Sequence, residues 1–276
     1  MELLPPLGEL VPFLVALLVA GVVAGFLAGL FGIGGGAVLV PVFYQMLTAL
    51  DVPEAVRTHI AVGTSLAIIV PTSLRSFYGH YQRGAVDMQV LRSFAFAVPA
   101  GVIVASIITA WISGAGLRLI FAALALLFAV KRLFGRDDWR FGNDIPANPL
   151  RSVIGFVIGF FSTFMGIGGG IFNNTFMTLY GRPMLQAVAT SSGVGVLISI
   201  PGIIGYIWAG WGAAGLPPFS IGFVNLLMMA VTVPLTLLVA PLGVKLAHQL
   251  PKRKLEIGFG IFLIIVAVRF FVSLYE

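Results

Sequence analysis

The chain contains no cysteine, which excludes a disulfide framework, thiolate metal sites and a cysteine nucleophile. Three histidines are too few for a multi-histidine metal centre, so neither a metal nor a cofactor is expected. Charge is equally scarce, at 9% of 276 residues against 59% hydrophobic. Soluble domains carry roughly 25% charged residues, so this composition describes an integral membrane protein. At ~20 apolar residues per spanning helix the chain accommodates on the order of eight to ten membrane segments, with no room for a soluble catalytic domain. The first twelve residues carry Glu2 and Glu9 but no Lys or Arg, the wrong charge for the start of a cleavable signal peptide. The net charge of +6 does not point to nucleic acid, because Lys and Arg stand between apolar runs rather than along one patterned face.

What is present is an internal duplication. Gly32-Ile33-Gly34-Gly35-Gly36 recurs unchanged as Gly166-Ile167-Gly168-Gly169-Gly170, and Gly25-Phe26 recurs as Gly159-Phe160. Downstream, Ala61-Val62-Gly63-Thr64-Ser65 answers to Ala187-Val188-Ala189-Thr190-Ser191. Each half is one folding unit within a single transmembrane domain. Repeat one covers 10–134 and repeat two 150–274, joined by a polar linker at 135–149.

Three apolar runs in each half are long enough to span: 58–78, 90–112 and 115–134, then 185–208, 219–246 and 254–274. Pro234 and Pro241 lie within the long run at 219–246, where they favour a kink. The segments flanking the second glycine motif are shorter. Ser152 to Met165 and Ile171 to Tyr180 reach roughly 21 and 15 Å as helices, less than a ~30 Å hydrocarbon core. A re-entrant or broken helical hairpin with its glycine turn near the membrane midplane follows. The first-half arms, Leu10 to Phe31 and Ala37 to Leu50, are longer, and the depth of that hairpin is less defined.

A hairpin returns to its own side while three spans cross over, so the second half starts opposite the first and the repeats are inverted. With the linker in the cytoplasm, thirteen basic residues lie inside and only Arg57, Arg118 and Arg269 outside. The equivalent loops also differ in character: 79–90 is basic, whereas 209–218 carries no charge. The expected fold is therefore an all-α integral membrane protein of two inverted-topology repeats, each a glycine-rich hairpin plus three transmembrane helices. It would be multi-pass in the cell (inner) membrane, surrounded by the lipid bilayer, with both termini periplasmic.

The GIGGG motif admits several uses. Gly21, Gly25 and Gly29, like Gly155 and Gly159, are spaced by four and form faces that let helices approach closely. Gly32, Gly34 and Ala37 formally satisfy a dinucleotide fingerprint, but the preceding run is a membrane helix rather than a strand, and the second copy has Ile171 where a small residue is required. Alternatively, consecutive glycines expose backbone N–H groups at the positive end of the following helix, an arrangement that binds anions. Two such turns meeting at the midplane form the kind of site inverted-repeat transporters use. The candidate substrate-binding residues are accordingly Gly34, Gly35, Gly36, Gly168, Gly169 and Gly170.

Thr64 and Ser65, with Thr190 and Ser191, hold the same repeat position and either line a polar pocket or bond their own helix carbonyls. Asn173 and Asn174 follow the second glycine turn, where the first half has Leu39 and Val40; their amides can donate to an oxyanion. Arg75, three turns beyond Thr64, either draws anions to an inner vestibule or snorkels at the interface. His59 and His80 are candidates for proton coupling, or are simply solvated.

These features resemble the sulfite exporter TauE/SafE family of bacterial anion transporters over nearly the whole chain. The resemblance rests on the twofold GIGGG, Gly63-Thr64-Ser65-Leu66, Ala189-Thr190-Ser191, and His80-Tyr81-Gln82-Arg83-Gly84-Ala85-Val86-Asp87, which is similar to that family's short polar loop after the third helix. It implies a carrier, usually an exporter, for a small inorganic or organic anion such as sulfite or an organosulfonate. An anion channel, or a carrier of another small anion such as a carboxylate, is the alternative. An enzyme is not expected: an intramembrane serine protease needs a Gly-x-Ser-Gly nucleophile, and the nearest run, Thr190-Ser191-Ser192-Gly193, has Thr where Gly belongs. Reporter fusions test the topology directly: both termini should report a periplasmic location, and a cytoplasmic C-terminus would overturn the inverted map.

Overall fold

The computed structural model describes residues 7–31, 36–134, 140–142 and 144–274. Among these stand ten helices: α1 (Leu7–Phe31), α2 (Gly36–Ala49), α3 (Glu54–Gln82), α4 (Met88–Thr109), α5 (Gly114–Phe134), α6 (Leu150–Met165), α7 (Gly170–Leu179), α8 (Met184–Ala209), α9 (Leu226–Gln249) and α10 (Lys252–Val272). The expectation of an all-α integral membrane protein holds. Six of the helices, α3, α4, α5, α8, α9 and α10, are long and apolar enough to cross a membrane. Local chemistry sets their starts. Pro53, Pro183 and Pro251 each stand directly before a helix, where a missing N–H removes no helical bond. Asp87 begins α4 by accepting from the Val90 N–H at 3.1 Å.

The short arms expected around the second glycine motif are α6 and α7, of 16 and 10 residues. The first-half arms are α1 and α2, of 25 and 14 residues. The run expected at 219–246 divides instead. Strands β1 (Ser220–Ile221) and β2 (Val224–Asn225) pair antiparallel through a turn at Gly222, and α9 begins only at Leu226. Apolar composition cannot separate a short hairpin from a helix end. Here Gly222 adopts φ +54° and lies against the α8 backbone at Ile207, closer than a side chain would allow.

Pairing between helices is reciprocal across the halves. α1 lies on α9 and α6 on α4, while α3 packs on α8 and α5 on α10. On α1 the buried positions Leu17, Ala20, Gly21, Ala24 and Gly25 recur at helical spacing, and Val15, Val19, Val22 and Val23 face outward as a lipid-facing side would. The glycine faces make these contacts tight. A Cβ at Gly25 would stand 2.8 Å from Thr236 Cα, and one at Gly159 would run into the Val98 carbonyl. Gly25 and Gly159 are equivalent in the duplication, so the same backbone approach is made twice with opposite partners.

The two central pairs run antiparallel. Along α3 and α8, Leu66 meets Gly202, Ser73 meets Gly195 and Phe77 meets Gly193. Along α5 and α10, Leu133 packs on Gly260 near one end, while Arg118 reaches Ser273 at the other. Arg118, expected at the outer surface, is in fact buried. Its Nη1 donates to Tyr44 Oη at 2.5 Å and to the Ser273 carbonyl at 2.8 Å, and its Nη2 pairs with the exposed Glu54 carboxylate. The guanidinium also lies 5.4 Å from the centre of the Tyr44 ring. One side chain thereby ties together α2, α3, α5 and the end of α10.

Adding a methyl at either glycine face must push two backbones apart. Gly25→Ala and Gly159→Ala should each lower unfolding stability in detergent by about 1–3 kcal/mol, measured by thermal melts against the parent.

Candidate functional site

The second glycine motif forms a turn between α6 and α7, built by two left-handed residues. Gly166, φ +60°, closes α6, its N–H bonding back to the Thr163 carbonyl at 3.2 Å; Gly169, φ +70°, precedes α7. Residues Gly166 to Ile171 are all buried. Of the first motif, Gly34 and Gly35 lie outside the described residues, but Gly36 opens α2 directly against the second turn. A Cβ on Gly36 would overlap the Gly166 carbonyl and stand 2.7 Å from Ile167 Cα. The last glycine of one motif and the first of the other are thus in backbone contact.

Side chains from both halves enclose this turn. Ser65 in α3 donates to the Gly166 carbonyl at 2.8 Å. Tyr206 in α8 donates to the Thr163 carbonyl at 3.2 Å, in the last turn of α6. Gly168 faces Ile69 and Gly195, and Gly169 faces Val194 and Ile198. Five successive backbone N–H groups, Gly168 to Phe172, meet no backbone or side-chain acceptor among the described residues; the next, Asn173, closes the first α7 bond on the Gly169 carbonyl at 2.8 Å. No side chain caps α7. Four of the five, Gly169 to Phe172, are the donors that any helix start leaves without an intrahelical partner, and they lie at the positive end of the α7 dipole.

Asn173 and Asn174 are buried beside it and joined through Ser191. Asn173 Nδ2 donates to Ser191 Oγ at 2.8 Å, and the Ser191 hydroxyl donates to Asn174 Oδ1 at 2.6 Å. Asn173 Oδ1 is buried without a partner among the described residues. The other hydroxyls expected to line a pocket are engaged with protein. Thr190 donates to the Gln186 carbonyl at 2.8 Å and accepts from the Asp87 N–H at 2.9 Å; Thr64 accepts from the Asn225 N–H at 3.0 Å. They hold α8 to the start of α4 and α3 to the start of α9.

The three titratable or charged candidates are spread along α3 and are not gathered at the turn. His59 is buried, stacked on Phe223 with ring centres 4.6 Å apart and Nε2 3.2 Å from the Ile112 carbonyl. His80 is half-buried in the last turn of α3, which carries the expected polar loop segment as far as Gln82 into the helix. Arg75 is exposed and carries neither a hydrogen bond nor an ion pair among the described residues. No group of three or more His, Asp or Glu side chains there is placed to hold a metal ion.

The family model for sulfite exporter TauE/SafE matches residues 17–270. The chain belongs to this family. Among similar proteins, a probable membrane transporter protein of Haemophilus influenzae is 35% identical, over 88% of this chain and 92% of its own. One from Methanocaldococcus jannaschii is 27% identical over 83% and 84%, and the Bacillus subtilis protein YunE, also named a probable membrane transporter protein, is 30% identical over 66% and 73%. No solved structure matches the chain. This TauE/SafE member is therefore a multi-pass membrane protein of a transporter family.

Sequence reasoning about a TauE/SafE chain missed two sets of residues. Asp87 and Asn225, which bond Thr190 and Thr64, lie 103 and 161 residues away from those partners. The one available signal was their shared position as Asx residues opening the fourth helix of each half. Arg118 carried no signal at all, since a lone Arg beside an apolar run reads as an interfacial charge. The Ser191 bridge makes a simple forecast. Ser191→Ala leaves the buried Asn174 Oδ1 unpaired and Asn173 Nδ2 with only the weak Met177 Sδ acceptor at 3.4 Å, and should cost on the order of 1–3 kcal/mol of stability, whereas Ser192→Ala, which removes only a bond to its own helix at Ala189, should be near neutral in the same melts.

Proposed function

We propose that this protein carries small sulfur-containing oxyanions, such as sulfite or organosulfonates, out of the cell by alternating access, the substrate binding at the α6–α7 glycine turn. The observation that carries the reading is the row of five N–H donors from Gly168 to Phe172 at the start of α7, which meet no acceptor among the described residues. In a membrane each such group costs several kcal/mol if it meets nothing, so a run of them points to an acceptor that arrives and leaves. A compact oxyanion supplies several acceptor oxygens within the width of one helix end. Asn173 and Asn174 add amide groups at the same end, and a half-turn of the Asn173 amide would exchange its unpartnered oxygen for a donor. The TauE/SafE family name supports a sulfite-like substrate, and the apolar residues around the turn favour a small one.

Alternating access draws support from the duplication. Equivalent helices pair antiparallel, α3 with α8 and α5 with α10, as two halves of opposite membrane orientation would. In this reading repeat one is 10–134, repeat two is 150–274, and the linker at 135–149 is cytoplasmic in the inner membrane with both termini periplasmic. The site lies where the halves touch, so rocking one against the other exposes it to each side in turn.

A methyl group at the turn separates anion binding from packing only where the fold tolerates it. Gly169 does not, because its φ is +70° and a Cβ would stand 2.6 Å from Ile198 Cδ1. Gly168 does better: its φ lies outside the left-handed region, and its nearest neighbour is the Ile69 Cγ2 methyl at 3.0 Å, which needs to give by only a few tenths of an ångström. Gly168→Ala should weaken sulfite binding ten- to hundredfold, a loss of ~1.5–3 kcal/mol, with near-parental detergent stability. Titration of sulfite, thiosulfate, sulfonates and carboxylates by thermal shift reads this directly. Unchanged binding in a folded Gly168→Ala protein would return the motif to packing alone. In vesicles, substrate on the far side should accelerate uptake, which a channel would not show.

A further inference from the structure

Two hydrogen bonds join the halves at equivalent places. The Thr64 hydroxyl in α3 accepts from the N–H of Asn225, whose Oδ1 accepts from the Met228 N–H at 2.9 Å at the start of α9. The Thr190 hydroxyl in α8 accepts from the N–H of Asp87, whose Oδ1 accepts from the Val90 N–H at the start of α4. Asp87 and Asn225 are matched in the duplication: Val98, eleven residues after Asp87, meets Gly159, and Thr236, eleven residues after Asn225, meets Gly25. Each contact therefore joins the hydroxyl of one half to the helix start of the other.

Because α3 and α8 are antiparallel, the two contacts lie toward opposite ends of that pair. Between them lie Gly168, against Ile69 and Gly195, and Gly169, against Val194 and Ile198, while Gly166 sits level with the Thr64 contact. Both contacts are made in this structure, and the turn is buried. The contacts differ in charge. Asp87 lies 3.8 Å from Arg182 Nε, and Arg182 Nη2 binds Asp144 of the linker at 2.8 Å. Asn225 is held instead by neutral groups, its Nδ2 donating to the Pro218 carbonyl at 2.9 Å and to Ser220 Oγ at 3.0 Å.

We propose that Thr190–Asp87 and Thr64–Asn225 are the paired gates of the transport cycle, the first closing the route to the cytoplasm and the second the route to the periplasm. This rests on the alternating-access reading above. The state described here is occluded, with both gates shut. Opening toward one face breaks one threonine contact and swings the start of α4 or α9 away from the turn, while the other contact holds. Asp87, Asn225 and the two threonines are positioning residues in this scheme, since none needs to touch the anion.

The absence of cysteine makes the test direct, because one introduced thiol is the only one present. Ser73, between Gly168 and Gly195, is the reporter: Ser73→Cys places a thiol at the level of the turn. Its modification by a membrane-impermeant thiol reagent is followed in vesicles of each orientation. Thr190→Val should raise labelling from the cytoplasmic face about fivefold, the factor expected for one lost hydrogen bond, and Thr64→Val should do so from the periplasmic face. Thr190→Ser and Thr64→Ser, which keep the hydroxyl, should return labelling to the parental level. Labelling raised on the same face by both valine variants, raised equally on both faces through loosening or unfolding, or unchanged in both, overturns the gates. Sulfite counterflow of the Ser73→Cys parent and of the unmodified protein is measured in parallel. Its absence from both sinks the transport reading, whereas the labelling asymmetry needs no substrate and is read independently.

Discussion

Inside a bilayer a backbone that leaves helical geometry has no water to bond, so every irregular turn must be satisfied by protein or by something the protein binds. The α6–α7 turn meets this condition in two ways. Its carbonyl at Gly166 is taken by Ser65 from the other half, and the N–H groups of Gly166 and Ile167 bond back into α6. Its next five N–H groups meet no acceptor among the described residues. The rest of the structure follows from accommodating that turn: Gly36 must lack a side chain to seat against it, α3 must present a hydroxyl, and α8 must pass close enough for Val194 and Ile198 to cover it.

The reciprocal helix pairing makes neither half sufficient. α1 buries its glycine face on α9 and α6 its own on α4, so each half completes the packing of the other. Lipid tails are as apolar as leucine, and association inside a membrane comes from close van der Waals fit and a few interhelical hydrogen bonds. The glycine faces supply the fit. The threonine contacts and the buried Arg118 network supply the bonds.

Much of this was legible in the residues. The duplication, the short arms around Gly166–Gly170, the six long helices and the small-residue faces all follow from spacing and apolar run length. Less legible was what Thr64, Ser65, Thr190 and Ser191 do. Their repeat position marked them as a set, but Ser191 bridges two asparagines 17 and 18 residues away while Thr190 serves a helix start 103 residues away. A hydroxyl bonds whatever the fold brings within about 3 Å, and sequence spacing within one helix does not encode that. Arg118 and the 219–225 hairpin failed for related reasons: a single cation does not announce its partners, and a short apolar run fits either a strand or a helix end.

The sequence by itself determined the solvent, the presence of six long apolar helices and the fact of duplication, because hydrophobic run length and repetition are properties of the chain alone. Tertiary structure decided which helices pair, that the two glycine motifs touch at Gly36 and Gly166, and which polar groups are spent on protein. Those outcomes depend on how two halves fit in space, and backbone contacts of this kind use no side-chain identity beyond the absence of a Cβ, so nothing in the letters distinguishes a glycine that packs against a partner helix from one that turns the chain.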